Sequence, residues 1–191
     1  VLSRPDAVFA VASRQDDDAP PSGRIDEDPA SDREPQMKNN VFTVERLISA
    51  PPEAIFNVLA DPVKHAVIDG SGMLQGASEA STARLALGVT FGMGMKMGVR
   101  YATVNTVVEF EENRRIAWQT GPKGKLEPYV AGRIWRYELE PRGDRTVVRE
   151  SWDISTDHQR VLLRLGDIYS KKTRRDMELT LARLDALVTT P

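Results

Sequence analysis

Four side chains in this sequence could move a proton among apolar neighbours: Glu150, Tyr137, His65 and Asp69. Glu150 lies in the stretch VVRESWDIS, where Val148, Glu150, Trp152 and Ile154 fall on one face of an alternating segment. A carboxyl in such company is costly to ionise unless a partner or a proton neutralises it. It can then act as an acid or base, hydrogen-bond a ligand hydroxyl, or pair with a nearby Arg or Tyr. A register one residue out would turn Arg149 and Ser151 inward instead. His65 and Asp69 flank a turn, and a His beside a carboxylate can do general acid–base work near neutral pH. Their spacing matches no defined catalytic motif, and Asp69 can equally serve to cap the turn Gly70-Ser71-Gly72.

Other chemistries are excluded or unsupported. The chain has no cysteine, so disulfides and thiolate metal sites are ruled out. Its two histidines, His65 and His158, lie far apart, and no spacing of carboxylates suggests a metal site. No glycine-rich loop follows an early strand, so neither a nucleotide-type cofactor nor any other is expected.

A second constellation is apolar. In FGMGMKMG, Phe91, Met93, Met95 and Met97 alternate with Gly92, Gly94 and Lys96, and Gly98 closes the stretch. Methionine is unbranched and polarizable and adapts to irregular shapes. The four side chains would line a pocket for variable apolar ligands, or they fill an ordinary core. The glycines point to close backbone approach or a strongly bent strand. Trp118 alternates with Ile116 on another segment. Trp135 and Tyr137 alternate with Leu139, leaving Arg136 and Glu138 to face water.

These residues need elements to position them. Val41 to Ser49 alternates as a strand, and Ala50-Pro51-Pro52 ends it. Glu53 to Leu59 has helical apolar spacing, with Pro52 suited to its first turn. Asp61-Pro62 is placed to cap a second short helix through about Ala66. Strands follow at about 73–78, 89–97, 100–111, 114–120, 131–140 and 145–154, joined by short turn-rich links. Such links argue for an antiparallel meander. About 158–188 is helical, with Tyr169, Met177, Leu181, Leu184 and Val188 on one stripe. The fold class is therefore α+β: a seven-stranded antiparallel sheet curved around one long C-terminal helix. Tyr169 and Met177 would complete the wall of the interior.

The net charge of −2 hides an asymmetry. Residues 1–36 hold nine of the 28 acids and four of the 26 basic residues, a net of −5, which leaves +3 for the remainder. They also hold five of the 12 prolines. Such a segment cannot bury enough apolar surface to order itself. Residues 1–38 are expected to form a disordered acidic tail, with the domain at 39–188. Met37 resembles a natural start, and Val1 a GTG start codon read as valine. No signal peptide pattern is present, so the expected compartment is the cytoplasm.

The stretches VERLISAPPEAIFNVLADPVKHAVIDGSG, NTVVEFEENRRIAWQT, WRYELEP, VRESWDIS and MELTLARLDALV occur in a consistent order over about 41–188. In these the chain resembles the START-like, helix-grip superfamily, specifically the polyketide cyclase/dehydrase and lipid-transport group. The resemblance implies a hydrophobic cavity that binds lipids, polyketides or other apolar molecules, and it implies no single reaction. The cavity would be lined by Phe91, Met93, Met95, Met97, Trp118, Trp135, Tyr137, Glu150, Trp152, Tyr169 and Met177. The leading function is reversible binding of a small hydrophobic molecule. The alternatives are a cyclase or dehydratase using Glu150, Asp69, His65 or Tyr137 as proton carriers, and a ligand-sensing or protein-interaction module. The basic run KKTRR, Lys171 to Arg175, reads as a solvated helix face, and no nucleic-acid module accompanies it. No run is long enough for stable membrane insertion.

Overall fold

The first strand, β1 (Val41–Ile48), buries Phe42, Val44 and Ile48 and stops where two prolines remove backbone donors. This computed structural model describes residues 39–78, 83–122, 132–165 and 167–190, without the side chains of 122 and 164–170. The expected tail, residues 1–38, and the side chain of Tyr169 lie outside the described residues. Helix α1 (Pro52–Leu59) starts on its proline and turns Ile55, Phe56, Val58 and Leu59 inward. The next helix begins later than Asp61-Pro62 predicts. Asp61 Oδ1 instead accepts from Val63 N at 3.0 Å, so the acid stabilises a turn, and α2 spans only His65–Ile68.

Six further strands follow: β2 (Leu74–Ala77), β3 (Thr90–Met97), β4 (Val99–Glu111), β5 (Arg115–Pro122), β6 (Arg133–Arg142) and β7 (Arg145–Asp153). With β1 they form one antiparallel sheet in the order β1-β7-β6-β5-β4-β3-β2. Strand ends fall within about two residues of those predicted, because Gly98, Asn113 and Gly143 take the positive φ that tight turns need. The first strand closes the sheet on the last, with Val44 opposite Glu150 and Phe42 opposite Trp152.

A bulge in β4 changes its facing. The register shifts between Val107 and Glu109, so that Val107 faces Trp118 and Phe110 faces Ile116. Both can then join the interior, where Phe110 packs edge-on to Phe56 at 5.3 Å. Glu109 turns to the opposite face and accepts three hydrogen bonds from Arg136, at 3.1, 3.1 and 2.6 Å. Arg136 thus spends its charge on a pair across the sheet rather than in open water.

The C-terminal helical region is described as α3 (Arg160–Leu165) and α4 (Asp167–Thr189). Met177, Leu181 and Leu184 on α4 are each at most 1% exposed, and they cover the inner face of the curled sheet beside β1. Full burial of each contributes about 1.5–3 kcal/mol. Within the basic run, Lys172 pairs with Asp176 and Arg174 with Glu178, one turn further along the helix. Two of the four cations of this run are thus paired along the helix.

Candidate functional site

Of the four titratable side chains singled out above, Tyr137 and Glu150 meet on the inner face of β6 and β7, while His65 and Asp69 belong to α2 and the turn that follows it. Tyr137 and Glu150 are directly opposite each other across these strands. The tyrosine hydroxyl donates to Glu150 Oε1 at 2.9 Å. Glu150 is only 2% exposed, and its second oxygen, Oε2, is buried with no hydrogen-bond partner. Burial pushes this carboxyl up to about 8, the Tyr137 hydrogen bond opposes the shift, and the charge of Asp69 adds to it. At neutral pH Glu150 is therefore chiefly an uncharged acid. Burial also raises the Tyr137 phenol well above its ordinary value, reinforced by the charges of Glu150 and Asp69.

An aromatic wall continues from this pair. Tyr137 lies 5.5 Å from Trp118, and Trp118 packs edge-on to Phe91 at 5.8 Å. The His65 ring stacks on Trp118 at 4.9 Å. On the other side, Trp135 and Trp152 stack at 6.1 Å across β6 and β7. Trp152 Nε1 is buried without a hydrogen-bond partner.

His65 and Asp69 are held by structural bonds. Leu59 O can only accept, so His65 Nε2 carries the proton of their 2.8 Å bond. Burial lowers the His65 pKa, opposed by that bond and by Asp61, and this keeps the ring neutral. Asp69 Oδ1 accepts from Ser71 N at 3.1 Å and Ser71 Oγ at 2.7 Å, and its Oδ2 accepts from Leu74 N at 2.9 Å. Both carboxylate oxygens are thus engaged in building the turn. That turn sits directly on α4: Gly70 N donates to Thr180 Oγ1 at 2.9 Å. A Cβ at Gly70 would come within 2.0 Å of Asp176 O, so glycine is required there.

The methionine strand divides. Phe91 and Met93 are 2% and 3% exposed, and Met95 packs against the core partly buried. Met97 departs from the expected lining: it is 66% exposed. It is the last residue before the Gly98 turn, where the β3–β4 hairpin runs past the packed part of the sheet. The glycines have their own consequence. Gly92 and Gly94, opposite Val104 and Ala102, leave an open groove of about 610 Å³ along β2, β3 and β4. Among the described residues none that lines this groove is ionisable, and the lining does not include Tyr137 or Glu150. Met177 faces the interior from α4 at 1% exposure. Of the predicted residues, Phe91, Met93, Trp118, Tyr137, Glu150, Trp152 and Met177 are thus brought into one buried cluster. Trp135 packs against it partly buried.

One interior polar pair is absent from the sequence reading. Asn105 is 3% exposed, donates to Phe91 O at 3.4 Å and accepts from Thr120 Oγ1 at 2.6 Å. Its position two residues before the buried Val107 was the available signal. Among the described residues no group of three or more His, Asp or Glu side chains is placed to hold a metal ion.

A curled antiparallel sheet gripping a C-terminal helix around such an interior defines the START-like helix-grip class. The family model for polyketide cyclase / dehydrase and lipid transport matches residues 40–189, and the chain belongs to that family. An uncharacterized protein of Mycobacterium tuberculosis, Rv0088, is 30% identical over 108 residues, 56% of this chain and 44% of that protein. The chain thus aligns with less than half of that relative's length. Protein CV1439 of Chromobacterium violaceum has a TM-score of 0.62 at 18% identity, over 81% of this chain and 100% of that one. A protein from Arthrobacter aurescens has a TM-score of 0.63 at 14% identity, over 82% and 90% of the two chains. At these identities the likeness shows the fold alone. No helix among the described residues is long and apolar enough to cross a membrane.

Proposed function

We propose that the interior between the curled sheet and α4 reversibly binds a small hydrophobic molecule, such as a lipid or a polyketide, in the cytoplasm. The observation that carries this reading is the state of Glu150: a fully buried carboxyl, walled by aromatic side chains, with one oxygen free of any partner. A buried polar atom left unpaired costs about 1–3 kcal/mol. A ligand that meets it recovers that cost, and the apolar wall supplies the rest of the affinity. The family's description as cyclase, dehydrase and lipid transport fits an apolar guest. Binding is favoured over catalysis because His65 and Asp69 are committed to Leu59 and to the turn, which leaves one free carboxyl. Phe91, Met93, Met95, Trp118, Trp135, Tyr137, Trp152 and Met177 would line the guest.

Titration with Nile red, together with native mass spectrometry of protein purified from its source, tests this. The expected result is saturable dye binding near one per chain, a change in tryptophan emission, and a retained small molecule. No dye binding and no retained molecule would refute it.

A further inference from the structure

Glu150 and Trp152 are two residues apart on β7, so their side chains share the inner face of the sheet. Each presents a buried polar atom with no partner, Oε2 of the carboxyl and Nε1 of the indole. An indole nitrogen can only donate. Tyr137 donates to Glu150 Oε1, so the proton of the uncharged acid belongs on Oε2, and that oxygen is a donor too. Two unsatisfied donors therefore face the same interior, and acceptors are what they lack. The flat face of Trp135 stacks on Trp152, and Trp118 lies beyond Tyr137. The charged groups acting on this spot are negative: Asp69 bears on both Glu150 and Tyr137. The nearest cation on β1 sharing the face of Val44 is Arg46, and it is paired with Asp185 of α4 at 2.8 Å.

We infer that Glu150 and Trp152 form a two-donor anchor for an uncharged acceptor, such as the carbonyl oxygen of a flat apolar molecule, and that the site rejects carboxylates. The inference rests on the reading that this interior binds an apolar guest, and it narrows that guest. An anionic fatty acid would bring a second negative charge beside Asp69. A plain hydrocarbon would leave both donors unsatisfied. A neutral carbonyl has two lone pairs and can take both hydrogen bonds.

Three tricyclic compounds of similar outline separate these cases by competition with bound Nile red at pH 7: fluorene, 9-fluorenone and fluorene-9-carboxylate. The expected order of affinity is fluorenone, then fluorene, then the carboxylate, with about tenfold between the first two, the worth of one buried hydrogen bond. Glu150→Leu should cut that preference to about threefold, because the indole donor remains. Glu150→Gln should keep the preference, because an amide still donates, and it also controls for folding. Trp152→Phe should reduce the preference without abolishing it. Binding of Nile red with equal or no displacement by fluorene and fluorenone would overturn the anchor while leaving the binding reading intact. A fluorenone preference that survives undiminished in Glu150→Leu, or a carboxylate that outcompetes the ketone, would also overturn it. No Nile red binding by the wild-type chain, with no retained molecule, would remove the binding reading and this inference together.

Discussion

Replacing Glu150 by glutamine should remove a pH dependence from the stability of this protein. In the native state burial holds the carboxyl's proton up to about pH 8, against 4.5 for the ordinary group. Across that window the native state binds more protons than the unfolded chain, so stability falls as pH rises. The contribution is complete below about pH 4.5 and gone above about pH 8. At about 1.36 kcal/mol per pH unit the whole window amounts to about 5 kcal/mol. His65 acts in the opposite sense. Its pKa is lowered by burial, so it costs stability as pH falls below its ordinary 6.5. Urea unfolding between pH 6.5 and 9, where His65 contributes less than about 0.5 kcal/mol, therefore reports chiefly on Glu150. The wild type should lose about 2 kcal/mol over this range, an urea midpoint lower by about 1 M for a slope near 2 kcal/mol/M. Glu150→Gln should stay level to within about 0.5 kcal/mol, since no group remains to titrate there. Parallel curves for the two proteins would refute the argument, because they would show that Glu150 is already ionised or solvated at neutral pH.

Met93→Ala should cost about 2–5 kcal/mol by truncating a packed side chain, whereas Met97→Ala should change stability by less than about 0.5 kcal/mol; denaturant unfolding of both would compare them. Gly70→Ala would press a methyl group onto the backbone of α4 and should cost about 1–3 kcal/mol, lowering the melting temperature by about 2–4 °C per kcal/mol. An unchanged melting temperature would mean that the turn is not seated on the helix. Deleting residues 1–36 should leave the melting temperature within about 5 °C, and a larger fall would show that this segment packs on the domain.

Much of the fold could be read from alternation and turn residues, because each strand has one buried face and a period of two. Glu150 shows how far this reaches. Its neighbours Val148 and Trp152 fix its facing, and the partner proposed for it as Arg or Tyr is Tyr137. Alternation fails where the backbone leaves the regular pleat. The bulge at Val107 to Glu109 puts Val107 and Phe110 on one face although they are three residues apart. Nothing local in TVVEFEEN marks that extra residue. Met97 continues the period of Phe91 and Met93, yet burial depends on what lies opposite, and the hairpin has passed beyond its cover. His65 and Asp69 were legible as residue types suited to acid–base work. Their bonds to Leu59 O and Ser71 depend on how the chain folds back, which spacing alone does not give.

The pairing of β1 with β7 has a consequence in time. Thr43 hydrogen-bonds Ser151, a partner 108 residues further along the chain. A ribosome adding about 5–20 residues per second needs roughly 5–20 s to supply that partner. Through this interval β1 has a bare edge and an uncovered apolar face of Phe42, Val44 and Ile48. The wall around Glu150 cannot exist until the last strand arrives. Contacts this distant in sequence slow folding, and a waiting edge strand can be captured by the β7 of a second chain. Such an exchange would build two complete interiors in one entangled dimer, each gripping a helix from one copy and a first strand from the other.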